Sequence, residues 1–416
     1  MAAQFASLEK LSEPVQKLPA PVEDKDRIVV AEEGESLSLP DDSNHQLQHR
    51  TLDFGVNVAG YITGEFGLGE SARSVIRSLQ VVGVPCALNN VEDSSHRNLN
   101  RTLKDFSETN PYRINLVTVN VHHADSFYEQ KGPGYFECRY NIAAWFWELS
   151  SFPDDWVSRF SDYQEVWVAS QFCAESLAKV SPVPVVKMSW PLDMDVPFVT
   201  SDRGRFGLAE STFVFLFTFD FASIFERKNP LAVVEAFRNA FSATEDVVLV
   251  LKSTNFGIDP GRLERFKQAT AGLNVRIIDA HLDQDGIRSL LASCDCYVSL
   301  HRSEGLGLGL AHSMCLGKPV IATAYSGNMD FMNVNNSFPV KYTLVELDKD
   351  YGPYKKGGVW AEPDIVHAAE MMRAVYEDRD SAAAIGRRAS EDIRKSMHPV
   401  VAGKEMLMRL LRVAAH

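Results

Sequence analysis

HRSEGLGLGLAHSMCLGKPVIATAYSGNMDFM, residues 301–332, has the order of a strand-to-helix turn followed by a second strand. An apolar strand over 297–301 leads into Glu304 and the glycines Gly305, Gly307 and Gly309. A short helix then ends near Gly317, and a β-branched run over 319–323 reads as the next strand. Glycines at such a turn let backbone N–H groups approach a ligand, and the helix amino terminus attracts anionic groups. Phosphate or polyol binding fits this pattern. A tight turn that merely relieves steric strain fits the glycines equally well.

The same alternation extends to both sides of the segment. Strands are expected over 213–219, 247–252 and 275–279, with helices starting at Pro230 behind a capping Asn229 and at Pro260 behind a capping Asp259. An Asp-, Pro- and Gly-bearing stretch over 191–208 reads as a linker. Before it lie strands over 56–61, 114–120, 141–146, 165–169 and 183–188, and helices over 70–82, 154–162 and 171–179. The tail from 364 onward is helical, with breaks at Asp380 and before Pro399. Alternating βα units imply parallel sheets covered on both faces. The predicted architecture is α/β: a mobile polar extension over 1–50, Rossmann-like domains over 51–195 and 196–398 facing a cleft, and a helical carboxy-terminal tail.

Composition narrows the function. The chain has 416 residues, 45% of them hydrophobic, and 42 Lys and Arg against 55 Asp and Glu give a net charge of −13. That balance provides no cationic field to collect nucleic acid, so any phosphate site must be local. Six cysteines occur without a C-x-x-C pair and read as reduced thiols, and the acidic residues Glu9 and Glu13 interrupt any secretory leader. A cytoplasmic location is the expectation. Asp-x-Asp pairs are scattered as an acid-rich chain would scatter them, and no metal is expected.

A second glycine turn, GYITGEFGLGESARSVIRSL at 60–79, carries Gly64, Gly67 and Gly69 ahead of an amphipathic helix. Its spacing is not G-x-G-x-x-G, and Asn89 and Asn90 stand where a dinucleotide site would want an acid, which disfavours a dehydrogenase. His122 and His123 close the strand over 114–120. Trp147 and Glu148 follow the strand over 141–146, where an aromatic face could stack on a sugar or simply belong to the core. Lys252 ends an apolar strand, and an unpaired lysine there would be costly to bury.

In the order of its residues, 301–332 resembles the carboxy-terminal signature of retaining glycosyltransferases of family 4, which have the GT-B fold of two Rossmann-like domains. Glu304 to Leu308 match its E-G-F-G-L, and Gly317, Pro319, Val320, Ile321 and Ala322 match its G-x-P-V-I-A. The resemblance implies a nucleotide-diphosphate sugar, GDP-mannose or a UDP-hexose, as donor substrate, with no separate cofactor. By that resemblance Glu304 would hold sugar hydroxyls, and the backbone of Gly305, Leu306, Gly307 and Leu308 would line sugar and phosphate. Lys228, Arg227 and Lys252 would face the diphosphate, with Arg227 in place of the usual arginine, whose position is Ser223. The turn with Gly67 and Gly69 would bring amides to the phosphate or the acceptor, and His122 or His123 would sit beside the sugar.

Trp147 and Glu148 would meet the acceptor, a saccharide or lipid-linked saccharide of surface polysaccharide or lipopolysaccharide assembly at the inner membrane face. The helix over 399–416 would pack back on the first domain. One position departs from the signature: His312 stands where a second Glu would meet the ribose. As a neutral imidazole it would make nucleotide affinity fall as pH drops through roughly 6.5. A nucleotide-sugar-binding protein without turnover and a nucleotide-sugar epimerase are the rival readings.

Overall fold

Two six-stranded parallel sheets realise the alternation, in a computed structural model that describes residues 52–94, 96–194, 200–255 and 259–415. The extension over 1–50 lies outside the described residues. The first sheet contains β1 (Val56–Gly60), β2 (Cys86–Asn90), β3 (Ile114–Val117), β4 (Tyr140–Trp145), β5 (Glu165–Val168) and β6 (Val185–Lys187), interleaved with α1 (Gly67–Val81), α2 (Ala124–Lys131) and α3 (Gln171–Leu177). Its order is β2-β1-β3-β4-β5-β6.

The second series runs β7 (Phe213–Thr218), α4 (Phe225–Lys228), α5 (Pro230–Ala240), β8 (Val247–Ser253), α6 (Pro260–Thr270), β9 (Val275–Asp279), α7 (Gln284–Ser293), β10 (Cys296–Ser299), α8 (Leu308–Cys315), β11 (Val320–Thr323) and β12 (Phe338–Val340). Its sheet order is β12-β11-β10-β7-β8-β9. An antiparallel hairpin, β13 (Tyr342–Glu346) and β14 (Val359–Pro363), follows, and then α9 (Ile365–Glu377), α10 (Arg379–Ser396) and α11 (Pro399–Ala414).

The central strands are apolar because helices cover both faces. Phe213 to Phe217 of β7 are all buried, each contributing about 1.5–3 kcal/mol of burial free energy. In α1 the inward stripe Ala72, Val75, Ile76 and Leu79 has the 3.6-residue period.

Several local expectations change. Asn229 does not cap α5: it adopts the left-handed conformation (φ 53°) and its N–H closes α4 on the Phe225 carbonyl at 2.8 Å. Asparagine tolerates that conformation, so it closes α4 while α5 still begins at Pro230 as expected, without the side-chain cap. Asp259 does cap α6, accepting from the Arg262 N–H at 3.0 Å. The helix expected over 154–162 is a 3₁₀ turn, Asp154–Phe160, and the strand over 183–188 shrinks to β6. In the tail the break falls at Asp378, which caps α10 by accepting from the Ser381 N–H.

The last helix lies against α1, where a Cβ on Gly403 would stand 2.1 Å from the Ser78 carbonyl oxygen. Arg409 pairs with the fully buried Glu165 of β5, and the Trp190 indole donates to Ser71 of α1 at 2.6 Å. Strand order reverses between β1 and β3 in one sheet and between β7 and β10 in the other. Such switch points, at the carboxyl ends of the strands, are where doubly wound sheets bind ligands.

Candidate active site

The turns that leave both switch points line one cleft of about 710 Å³, within the range of small-molecule sites. The first domain contributes the 65–70 turn, Asp93, His96, Asn120, His122, His123, Trp147 and Glu148, and the second contributes the loop after β7, α4, one face of α7 and the 304–312 turn.

Two helices begin at this cleft without side-chain caps, α1 behind Phe66 and α8 behind Gly307. Their first-turn N–H groups are therefore available to an anionic ligand. Gly307 adopts φ +94°, a conformation that favours glycine. At Gly69 a Cβ would stand 2.3 Å from the Gly64 carbonyl oxygen, so that glycine serves the fold of the turn. Gly67 lines the cleft and Gly69 does not.

The electrostatic centre is Glu304. Its Oε1 accepts from Lys228 Nζ at 2.5 Å, and its Oε2 lies 3.1 Å from Arg227 Nη1. Burial alone would raise its pKa, but Lys228 and then Arg227 outweigh burial and hold the carboxyl at about 2. Lys228 is pulled down by burial against the attraction of Glu304. Burial also opposes the Arg227 charge, yet Tyr354, Glu304 and Glu148 overcome it and raise that pKa. The Arg227 guanidinium donates to the Ser303 carbonyl at 2.8 Å and to Ser223 Oγ at 3.3 Å, which brings the cation to the residue where the resemblance looked for an arginine. The Arg227 Nε is buried without a hydrogen-bond partner.

The cleft thus gathers Gly67, Arg227, Lys228, Glu304, Gly305, Leu306, Gly307, Leu308, His312, His122, His123, Trp147 and Glu148. Lys252 is not among the lining residues. It is buried at the end of β8, where burial lowers its pKa and Asp220 and Asp279 act against that fall. The isolated lysine expected at a sheet edge has carboxylates for company.

Trp147 is almost wholly buried, its indole donating to the Ser151 carbonyl at 2.7 Å and its ring packed on Phe152, Trp156 and Tyr354. That packing makes it a core side chain whose edge reaches the cleft. Glu148 accepts from the Tyr354 hydroxyl at 3.0 Å, a contact with the hairpin connection between β13 and β14. His122, open to the cleft, has its pKa lowered to about 4 by loss of solvent and by His123 and Arg159, and His123 is also lowered, chiefly by burial.

His312 differs from its expectation. Its Nε2 meets Glu70 of α1, and that carboxylate outweighs burial and raises the histidine's pKa, which favours the protonated ring over the neutral imidazole that was expected. Glu70 is held at about 2, the His312 charge overcoming burial. Sequence reading missed Glu70, Asp93, His96 and Tyr354. The one local cue was an acidic residue in the first turn of a glycine-led helix, which also has the bland reading of a favourable helix-dipole contact.

Among the described residues no cluster of three or more His, Cys, Asp or Glu is arranged to hold a metal ion, and no described helix is long and apolar enough to cross a membrane.

Residues 201–392 match the model of the family described as Glycosyl transferases group 1. No curated protein matches the chain by sequence. The fold is similar to that of a sucrose-phosphate synthase from Thermosynechococcus elongatus, with 12% identity, TM-score 0.63, and 87% of this chain covering 100% of that one. It is similar to a glycosyltransferase from Rickettsia africae, with 14% identity, TM-score 0.63 and coverage of 87% and 98%. HepE of Anabaena, solved in complex with UDP-glucose, is similar at 13% identity and TM-score 0.61, with coverage of 87% and 100%. At these identities the likeness is one of fold: two Rossmann-like domains in the GT-B arrangement.

Proposed function

We propose that the protein is a retaining, metal-independent glycosyltransferase that moves a hexose from a nucleotide-diphosphate sugar to a saccharide or lipid-linked saccharide. The observation that carries this reading is the Glu304–Lys228–Arg227 group at the switch point of the second sheet, beside the amino terminus of α8. The family match over 201–392 and the GT-B fold support it.

The chemistry follows from the charges. Breaking the anomeric C–O bond sends its electron pair to the departing diphosphate and leaves an oxocarbenium-like sugar. Lys228, Arg227 and the first-turn amides of α8 are positive groups fixed in advance near the place where negative charge develops, which is the largest stabilising effect available to such a reaction. Glu304, ionised throughout the neutral range, tolerates the positive ring and can accept from sugar hydroxyls. These cations do the work that a divalent ion would do in a site lacking them.

The UDP-glucose complex of HepE favours a UDP-hexose over GDP-mannose as donor. An acceptor from surface-polysaccharide assembly, in the cytoplasm and against the membrane face, completes the proposal. A panel of nucleotide sugars, read for released nucleoside diphosphate in the presence of saccharide acceptors, tests it. Transfer from one donor is the expected result. Binding without release would favour a nucleotide-sugar-binding protein, and isomerisation of the donor an epimerase.

A further inference from the structure

A second carboxylate–cation pair lies in the cleft and takes no part in the reaction proposed above. Glu70 in the first turn of α1 meets His312 on α8, a contact between residues 242 apart in sequence. The helix α1 covers the first sheet and α8 belongs to the second, so the pair spans the cleft. Opening the cleft along this line has to break it.

The neighbouring charges are largely engaged with one another. On α1, Arg73 donates to the carbonyls of Ile62 and Gly64 at 2.9 and 2.7 Å, and Arg77 pairs with Asp193. On α7, Arg288 pairs with Asp193 at 2.9 Å and lies 4.0 Å from Asp285. Asp193 belongs to the connection between the domains and also accepts from Gln284 at 3.2 Å. From α10, packed against α8, Arg394 reaches the Cys315 carbonyl at 3.5 Å, at the far end of the helix. Glu70 is the carboxylate bonded to His312.

Other polar contacts join the same two halves: Ser170 donates to the Gly305 carbonyl at 2.6 Å, Lys187 pairs with Asp330, and Tyr354 donates to Glu148. His96 stands 3.8 Å from Asp220 and 3.2 Å from Asp93, a longer and looser histidine contact across the cleft.

We propose that Glu70 and His312 form a proton-set latch: the protonated histidine holds the two domains closed, and loss of that proton lets them separate. The titration directions agree. The histidine's pKa is raised, so its ionic contribution is complete below roughly 6.5 and is lost as pH rises through the raised value. The carboxylate's is lowered to about 2, so its contribution is present above the usual carboxylate range and fails only as pH falls through about 2. The latch is therefore charged below roughly 6.5 and loosens as pH rises through the raised value, above which a neutral hydrogen bond is left. It requires nothing of the substrate, so it stands or falls independently of glycosyl transfer.

The test is an interdomain distance measured without ligand in the full chain. Spin labels on the exposed native Cys138 of the first domain and on Glu264→Cys of α6, with Cys86→Ala to remove the other accessible thiol, report the spacing. At about pH 6 the distribution should be short and narrow, and at about pH 9 a longer population should appear. Glu70→Gln should be long or broad at both values. His312→Lys, whose charge persists, should remain short at both. An unchanged distribution in the parent chain between these pH values overturns the latch whether or not any variant folds. A Glu70→Gln chain that keeps the parental pH response overturns it as well.

Discussion

Glu304, buried, and Glu70, half-buried, are two carboxylates in one cleft, both held at about 2 by neighbouring cations, and they were very unequally readable. Glu304 takes its cations, Lys228 and Arg227, from α4 of its own domain and sits in a motif whose residues are consecutive. Glu70 takes its cation from the other domain, through a contact no local pattern encodes. The partners also differ in kind. Arginine stays charged at every working pH, whereas an imidazole can lose its proton within the physiological range. The difference suggests a division of labour, with one carboxylate group set for chemistry and the other for closure.

The sharpest way to break that contrast is at Lys228. Lys228→Ala should lower kcat by about 100-fold or more with little change in folding, the scale of removing one donor aimed at developing charge. Steady-state turnover together with circular dichroism checks this, and a fully active variant would remove the Glu304 group from the chemistry.

Gly69→Ala probes the other side. The added methyl would meet the Gly64 carbonyl at 2.3 Å and displace the turn that carries Glu70, at a cost of about 1–3 kcal/mol measured by denaturant unfolding. A neutral result would mean that the turn relaxes freely and that Glu70 is not rigidly placed.

Smaller is the expected alkaline loss of stability. Between about pH 6 and pH 9 the parent chain should lose stability that His312→Lys retains, measured by denaturant unfolding, because only the imidazole sheds its proton. Equal pH profiles for the two proteins would erase the distinction between the pairs. The least effect is expected at Lys252, which lies outside the cleft lining. Lys252→Met should change donor KM by less than about twofold, and a loss comparable to that at Lys228 would return this lysine to the diphosphate site.

The fold was legible because its signals are local. Apolar runs such as 213–218 and turn glycines such as Gly307 announce parallel strands and helix starts within a few residues. The errors arose where one residue served two elements or where tertiary contacts selected the partner. Asn229 has the composition of a helix cap, and the helix that precedes it claimed its left-handed conformation. Trp147, readable as a sugar platform or as core, is enclosed by Phe152, Trp156 and Tyr354, contacts that no local pattern encodes. The hairpin that brings Tyr354 to Glu148, 206 residues away, has no signature in either segment. At His312 the resemblance supplied a position and the structure supplied a partner, and the partner raises the pKa where a neutral imidazole was expected.

Transfer with retention at the Glu304 cleft, as proposed, can be read by proton NMR of the product formed from a UDP-hexose or GDP-mannose donor and a saccharide acceptor, followed from the first turnovers. Stoichiometric release of nucleoside diphosphate with a product of the donor's own anomeric configuration is the expected result. A product of inverted configuration, or donor bound at saturation with neither release nor transfer, would contradict it.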